Sequence, residues 1–145
     1  MKFWDSSAVI PLIFEEPTSA ILRALLTEDT DMVIWWGTWI ECSVTVSRLR
    51  REEVLDDSGQ EGTRAALDAL ATGWLEIEPI DELRLLAMLV SKTHPLKAAD
   101  CLQLTAALRW CEGDTEDRDF VCLDRQLRRI VEDEGFYVLP ESAER

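Results

Sequence analysis

The sequence has no long hydrophobic run, and it contains only 1 histidine. Its apolar stretches, such as residues 32–36, are far shorter than the roughly 20 residues that a membrane-spanning helix needs. The first residues lead from Lys2 directly into Phe3-Trp4-Asp5, without the pattern of a signal peptide. We therefore expect neither a membrane anchor nor a secretory leader. The one histidine, His94, stands before Pro95, where a loop or capping role is expected.

Positive charge is also scarce. The chain has 15 Lys and Arg residues against 29 Asp and Glu residues, a formal net charge of −14. This balance argues against the broad positive surface with which many proteins bind nucleic-acid phosphates. Any function on nucleic acid must therefore act locally, through bound cations.

The 4 cysteines include no Cys-x-x-Cys pair. Three of them lie in apolar runs, where they would act as small buried hydrophobic residues. This usage fits a reducing cytoplasm, and together with the lack of clustered histidines it argues against a zinc site.

The length of 145 residues fits one domain over residues 1–145. Short segments rich in β-branched or aromatic residues predict strands at residues 2–4, 32–36, 75–77, 120–123 and 137–139. Apolar residues at three- and four-residue spacing predict helices at residues 21–26, 40–49, 65–70, 83–90 and 98–108. Polar stretches predict surface loops at residues 56–62 and 113–119. The alternation predicts an α/β fold, a three-layer α/β/α sandwich around a mostly parallel five-strand sheet.

Acidic residues occur where predicted strands end or helices begin. Asp5 and Asp124 each follow a predicted strand, and both fit the role of a helix cap. Thr38 and Glu41 have the spacing of a capping box, in which the Glu side chain bonds back to the cap residue. Capping is therefore a sufficient interpretation of each of these acids taken alone.

Asp100 is harder to explain by capping, because it lies among small and apolar residues of a predicted helix. Only Lys97 offers a nearby opposite charge in the sequence. An unpaired, partly buried carboxylate would raise its pKa or destabilise the fold by roughly a few kcal/mol. A divalent cation shared with the other acids is the economical partner, since ligands of parallel sheets bind beyond the carboxyl ends of the strands. Oxygen ligands favour Mg²⁺, with Mn²⁺ as a substitute.

Four stretches resemble, in order and spacing, the motifs of PIN-domain ribonucleases. They are Asp5-Ser6-Ser7-Ala8, Glu41 at a helix start, residues 97–104 around Asp100, and residues 120–124 ending in Asp124. The resemblance spans nearly the whole chain. In its length and in the position of its first motif, the chain is similar to VapC-type toxins of type II toxin–antitoxin modules. The last motif departs from the family pattern: Cys122 stands where the family often has Thr, and Asp119 is an alternative to Asp124.

The resemblance implies a magnesium-dependent endoribonuclease. Asp5, Glu41, Asp100 and Asp124 would be its catalytic residues and would bind one or two Mg²⁺ ions, which activate a water for attack on an RNA phosphodiester. The resemblance further implies an RNA substrate, a cognate antitoxin protein and a homodimer. Ser6 or Ser7 is expected to contact substrate phosphate, to orient Asp5 or to cap the helix.

Basic and aromatic residues near these acids have two interpretations each. The arginines could guide an RNA backbone or form solvated helix faces. They are Arg48, Arg50, Arg51, Arg125, Arg128 and Arg129. Tryptophans 35, 36 and 39 are expected to fill the core, with an apolar groove or dimer surface as the alternative.

Two other functions remain compatible with an acidic α/β domain. A phospho-acceptor signalling domain would need a pair of acids after the first strand and a lone Asp after the third. This chain has serines after Asp5, and only Glu76 and Glu78 near the third strand. A non-catalytic PIN-like interaction module is the other alternative, which the presence of all four acids disfavours.

Overall fold

Five short strands form one sheet in the order β3-β2-β1-β4-β5, and each neighbouring pair is parallel. The strands are β1 (Lys2–Trp4), β2 (Met32–Trp35), β3 (Leu75–Ile77), β4 (Asp119–Val121) and β5 (Tyr137–Leu139). The computed structural model describes residues 1–141, so residues 142–145 of the predicted domain lie outside the described residues. The predicted mostly parallel sheet is confirmed, and it is parallel throughout.

Only one strand differs from its predicted bounds by more than one residue. β4 begins at Asp119 and ends at Val121, whereas residues 120–123 were expected. The N–H of Cys122 still bonds to the carbonyl of Leu139 at 3.0 Å. The N–H of Leu123 instead donates to the hydroxyl of Ser7 at 2.9 Å, which takes the chain out of the sheet.

The described residues contain seven helices. They are α1 (Ser6–Ile13), α2 (Ser19–Glu28), α3 (Thr38–Arg51), α4 (Asp57–Ala71), α5 (Asp81–Thr93), α6 (Ala98–Trp110) and α7 (Arg125–Asp133). None of the helices within residues 1–141 has the length and apolarity needed to cross a membrane.

The predicted loop at residues 56–62 is wrong, because α4 begins there. The Asp56 side chain accepts a hydrogen bond from the N–H of Gly59 at 2.7 Å and so caps the helix. Thr63 and Leu67 then bury one side of α4, while its polar residues face solvent. The polar composition marked the exposed side of a helix rather than a loop.

Strand side chains alternate between two hydrophobic cores, as the two-residue period of a strand requires. Phe3 and Val33 point into one core, which also contains residues of α5, α6 and α7. Trp4 and Ile34 point into the other, which contains residues of α1, α2, α3 and α4. Helices therefore cover both faces, and the predicted three-layer sandwich is confirmed.

The prediction that tryptophans 35, 36 and 39 fill the core is correct for one of the three. Trp35 is buried in the core, whereas Trp36 and Trp39 are 43% and 39% exposed. The chain leaves the sheet after Trp35, so the two following tryptophans lie in the turn and first helical turn that face solvent.

The direction in which strands are added reverses at β1. From β1 the chain adds β2 and β3 on one side, and it later adds β4 and β5 on the other. In open parallel sheets, ligands bind at the carboxyl edge beside such a switch point. Here that position lies between the β1–α1 and β4–α7 connections, where Asp5 N–H bonds to the carbonyl of Val121 at 2.9 Å.

Candidate active site

A cavity of about 250 Å³ opens at this switch point. Three of the four predicted acids line it, namely Asp5, Asp100 and Asp124. Ser6 and Ser7 also line it. Residues from three distant parts of the chain therefore meet at one place, as the sequence predicted for a shared site.

Asp5 combines a capping role with a position in the cavity. Its Oδ2 accepts hydrogen bonds from the N–H of Ser7 at 3.0 Å and from the Ser7 hydroxyl at 2.5 Å. Its Oδ1 is buried and has no hydrogen-bond partner within residues 1–141. Burial raises the pKa of Asp5 to about 6; the Ser7 hydrogen bonds oppose the rise, and the charges of Glu41 and Asp100 add to it.

Glu41 does not form the predicted capping box. Gly37 occupies the cap position of α3, and Thr38 is already helical, so the Thr38 hydroxyl cannot cap the helix. Oε2 of Glu41 accepts a hydrogen bond from the Ser6 hydroxyl at 2.7 Å, and Oε1 accepts one from Nε2 of Gln103 at 3.0 Å. The carboxylate is thus turned toward α1 and α6, where it meets side-chain donors.

Asp100 lies in the first turn of α6 and is half-buried. Burial raises its pKa, the negative charges of Asp124 and Glu41 raise it further, and Lys97 lowers it. Asp124 caps α7, since its Oδ1 accepts the N–H of Leu127 at 2.9 Å. Capping and a place in the acidic cavity therefore coexist at Asp124, as they do at Asp5.

The structure separates the two candidates for the fourth acid. Asp119 begins β4, at the amino edge of the sheet, and its carboxylate lies 3.6 Å from Nζ of Lys2. Asp124 follows the strand and lines the cavity with Asp5 and Asp100. Because all strands are parallel, the two acids lie at opposite edges of the sheet, and only Asp124 is placed at the candidate site.

Cys122, which departs from the family pattern, lies directly against Asp5. Its buried thiol donates to Oδ2 of Asp5 at 3.6 Å, and its sulfur lies 3.7 Å from the Ser7 hydroxyl. Burial and the charge of Asp5 raise the pKa of this thiol well above its usual range. Cys122 therefore stays protonated and acts as a weak donor to Asp5.

The arrangement of strands and helices matches a solved structure. The crystal structure of FitAcB from Neisseria gonorrhoeae aligns with a TM-score of 0.61 and 15% identity, over 95% of this chain and 96% of that chain. The chain has the PIN-domain fold. No protein-family model and no curated protein matches the sequence, so the likeness is one of fold.

The PIN fold also separates the chain from the phospho-acceptor alternative. Flavodoxin-like signalling domains have the strand order 2-1-3-4-5, with the third strand beside the first. Here β3 is an edge strand, two positions away from β1. Glu76 on β3 accepts a hydrogen bond from the indole of Trp74 at 3.2 Å and does not line the acidic cavity.

The arginine groups fall into different roles in this fold. Arg48 lines the acidic cavity, whereas Arg50 pairs with Asp57 at 2.8 Å. Arg128 donates to the carbonyls of Cys122 and Pro140, each at 2.7 Å, and so ties the ends of the last two strands together. The structure thus places Arg48 at the acidic cavity and gives Arg128 a structural role.

Sequence reasoning missed Gln103 as a contributor to the site. The residue is fully buried on α6 and bonds to both Thr38 and Glu41. The available signal was its position three residues after Asp100, which places both side chains on one face of the helix. His94, by contrast, lies at the end of α5 and contacts Glu134 at 2.6 Å, in keeping with the expected loop role.

The cavity has the donor atoms of a divalent-cation site but not a preformed geometry. Within residues 1–141, no three His, Cys, Asp or Glu side chains have the spacing of a preformed metal site. The donor chemistry nevertheless fits Mg²⁺: the acids supply oxygen atoms, and Oδ1 of Asp5 is buried without a partner among the described residues. Burial and neighbouring carboxylates raise the pKa values of Asp5 and Asp100, and a bound cation would offset both effects. Binding one ion would require the carboxylates to rotate toward it.

Proposed function

We propose that this chain is a magnesium-dependent endoribonuclease and the toxin of a toxin–antitoxin module. The observation that carries the proposal is the meeting of Asp5, Asp100 and Asp124 around one cavity, with Glu41 close enough to raise the pKa of both Asp5 and Asp100. Such a cluster repels a phosphate unless a cation lies between them, which favours Mg²⁺, or Mn²⁺ in its place. We infer a cytoplasmic location, since all four cysteines, which lie within residues 1–141, are free thiols.

The four carboxylates would bind the ion in different ways. Asp5 and Asp100 would be the principal ligands, and Glu41 and Asp124 would complete the site directly or through waters. Ser7 holds Oδ2 of Asp5, which leaves Oδ1 for the cation. When bound, Mg²⁺ would lower the pKa of an attacking water and offset the negative charge on the phosphate oxygens.

The reaction is hydrolysis of an RNA phosphodiester. The water oxygen forms a new bond to phosphorus in line with the leaving ribose oxygen, whose bond to phosphorus breaks. One proton of the water passes to the leaving oxygen, so that atoms and charge balance. In this reaction the residues of the cavity orient the phosphate and the water, and positioning of this kind supplies a large part of the rate enhancement.

Arg48 is the expected phosphate contact. It lines the cavity, about half of its side chain is exposed, and it pairs with Glu52 at 3.8 Å in a solvent-exposed ion pair. Such exposed pairs contribute little free energy, so Arg48 can exchange Glu52 for a phosphate oxygen at small cost. On a chain with a net charge of −14, one local cation beside the metal suits an RNA backbone.

The proposal is tested with purified wild type, Asp5→Asn and Asp100→Asn, and with Asp119→Asn as the matched control at the other edge of the sheet. We expect cellular RNA to be cleaved by the wild type and by Asp119→Asn with Mg²⁺ or Mn²⁺. Cleavage should fall at least 100-fold in the two site variants and be lost with EDTA. Equal cleavage by Asp100→Asn and wild type would contradict the proposal.

A cellular experiment tests the same proposal under growth conditions. Wild type and Asp5→Ala are expressed from an inducible promoter in bacteria, and new RNA 5′ ends are mapped. The wild type should arrest growth and create new ends, and Asp5→Ala should do neither. Equal growth and identical RNA from both strains would favour the non-catalytic interaction module.

An antitoxin partner is part of the proposal. An apolar stripe on α3 and the turn before it is exposed, and it consists of Trp36, Trp39, Ile40 and Val44. The same helix carries Arg48 at the acidic cavity. These features suit a basic partner that lays an apolar segment on the stripe and places an Arg or Lys in the cavity.

Capture of the partner tests this surface. Tagged Asp5→Asn chain is purified from its native host, and a small basic protein is expected to copurify. The Ile40→Glu/Val44→Glu variant should lose it, whereas Leu85→Glu on α5 should keep it. Retention by the Ile40→Glu/Val44→Glu variant would exclude the α3 stripe as the binding surface.

A homodimer is proposed through a different helix. Leu85, Met88 and Leu89 form an exposed stripe on α5. If two copies of α5 pair antiparallel about Ala87, Leu85 of each copy meets Leu89 of the other, and Glu82 meets Lys92. A twofold interface requires such self-complementarity. Sedimentation should show that Glu82→Lys weakens the dimer and that Glu82→Lys/Lys92→Glu restores it; a charge exchange without effect would exclude this pairing.

A further inference from the structure

Gln103 lies where a polar side chain is costly. It is fully buried in the middle of α6, and an amide placed there without partners would destabilise the fold. Its Nε2 donates to the hydroxyl of Thr38 at 2.8 Å and to Oε1 of Glu41 at 3.0 Å. Both amide hydrogens are therefore used, and one of them bonds to a predicted metal ligand.

The orientation of the Gln103 amide is set by Glu41. The reverse orientation would place the Gln103 carbonyl oxygen against a carboxylate oxygen, which leaves two acceptors without a proton between them. In the observed orientation, Oε1 of Gln103 has no hydrogen-bond partner among the described residues, although it is buried. The amide thus gives up a bond at its oxygen while it keeps both bonds at its nitrogen.

Glu41 is held at both of its oxygens by residues next to the other acids. Ser6, which bonds to Oε2, directly follows Asp5 in the chain. Gln103, which bonds to Oε1, is one helical turn beyond Asp100. The direction of the Glu41 carboxylate is therefore fixed by the same two segments that carry Asp5 and Asp100.

We propose that Gln103 is a positioning residue that fixes the Glu41 carboxylate for metal binding. This inference rests on the proposed function, and it assigns to Gln103 no contact with the ion or with RNA. A ligand held by an outer hydrogen bond loses less freedom when the ion binds, and removal of such partners typically weakens metal affinity about 10- to 100-fold.

The test measures Mn²⁺ affinity by calorimetry in the full chain, without RNA. Gln103→Met keeps the length of the side chain and removes the donor, and we expect the Kd for Mn²⁺ to rise about tenfold. Thr105→Val is the matched control, because Thr105 is also fully buried on α6 and its hydroxyl donates to the carbonyl of Cys101 in the same helix, at 2.6 Å. It should lower stability and leave the Kd unchanged.

A double-mutant cycle separates positioning from general damage. In a Glu41→Gln background, Gln103→Met should change the Kd by less than twofold, since the carboxylate it positions is gone. If Gln103→Met does not fold, Thr38→Val serves instead, because it removes the second anchor of the amide and should raise the Kd about threefold.

Mn²⁺ binding by these variants separates failure of the metal site from failure of the Gln103 role. If the wild type and Asp100→Asn bind Mn²⁺ equally weakly, the proposed metal site itself is wrong. If Asp100→Asn loses binding while Gln103→Met and Thr105→Val retain the wild-type Kd, the site stands and the role of Gln103 is overturned.

Discussion

The hydroxyl of Ser7 lies 2.5 Å from Oδ2 of Asp5, the same oxygen that accepts the Ser7 N–H. That hydroxyl also accepts the N–H of Leu123 at 2.9 Å. One side chain therefore joins the connection after β1 to the connection after β4, and it fixes the orientation of the most buried acid of the cavity.

Replacing Ser7 by Ala should cost more stability than replacing its neighbour. Ser7→Ala leaves a buried carboxylate oxygen and the Leu123 N–H each short of a partner, so the free energy of unfolding should fall by about 2 kcal/mol. Ser6→Ala should cost less, about 1 kcal/mol, because Glu41 keeps its bond from Gln103. Urea unfolding at pH 7 measures both, and equal losses would contradict the bridging role of Ser7.

The stability of the metal-free protein should fall between about pH 4 and pH 7 relative to Asp5→Asn. The pKa of Asp5 is raised from 3.8 to about 6, so the folded state holds its proton to higher pH than the unfolded chain does. Below pH 3.8 the Asp5 carboxyl is protonated in both states, and its burial costs the folded state no ionisation free energy. Above about pH 6 the carboxyl is ionised in both states, and its burial lowers the free energy of unfolding by about 3 kcal/mol.

The pH prediction is measured as a difference between two proteins. Urea unfolding in EDTA, compared between wild type and Asp5→Asn, cancels most of the titration of the other carboxyl groups. The free energy of unfolding of the variant should increase relative to that of the wild type as pH rises. A difference that stays constant from pH 4 to pH 7 would mean that burial does not raise the pKa of Asp5.

Divalent cations should remove this penalty. An ion that binds only the folded state stabilises it by about 2.7 kcal/mol at a concentration 100 times its Kd. Millimolar Mn²⁺ should therefore raise the Tm of the wild type by several degrees and leave that of Asp100→Asn nearly unchanged. Asp119→Asn should respond as the wild type does, since its carboxylate lies at the opposite edge of the sheet. An unchanged wild-type Tm would count against a shared metal site.

RNA affinity should depend on Arg48 more than on its neighbour Arg50. The comparison is made in an Asp100→Asn background, where RNA is bound and not cut. There Arg48→Gln should weaken RNA binding about fivefold at low salt. It should also reduce, by about 0.7, the slope of the logarithm of the binding constant against the logarithm of the salt concentration. Arg50→Gln is the control on the same helix, because Arg50 pairs with Asp57 and does not line the cavity. Filter binding at two salt concentrations measures both effects, and equal losses would exclude a specific contact by Arg48.

Local sequence patterns were enough for most of the fold. Short runs of β-branched and aromatic residues predicted the strands, because a strand buried on both faces needs such residues at nearly every position. The same reasoning failed at residues 56–62, where a solvated helix side has the polar composition of a loop. Hydrophobic periodicity cannot identify a helical turn that contributes no residue to the core.

The sequence by itself determined that carboxylates follow β1 and β4 and open α3 and α6, since these positions depend on local order along the chain. Only the tertiary structure decided that Asp124 and not Asp119 faces the cavity, because that choice depends on which edge of the sheet each end of β4 reaches. It also decided that Glu41 bonds to Ser6 and Gln103 instead of capping its own helix. Hydrogen bonds between side chains 35 and 62 residues apart follow from the packing of α1, α3 and α6 around the sheet, which no local pattern encodes.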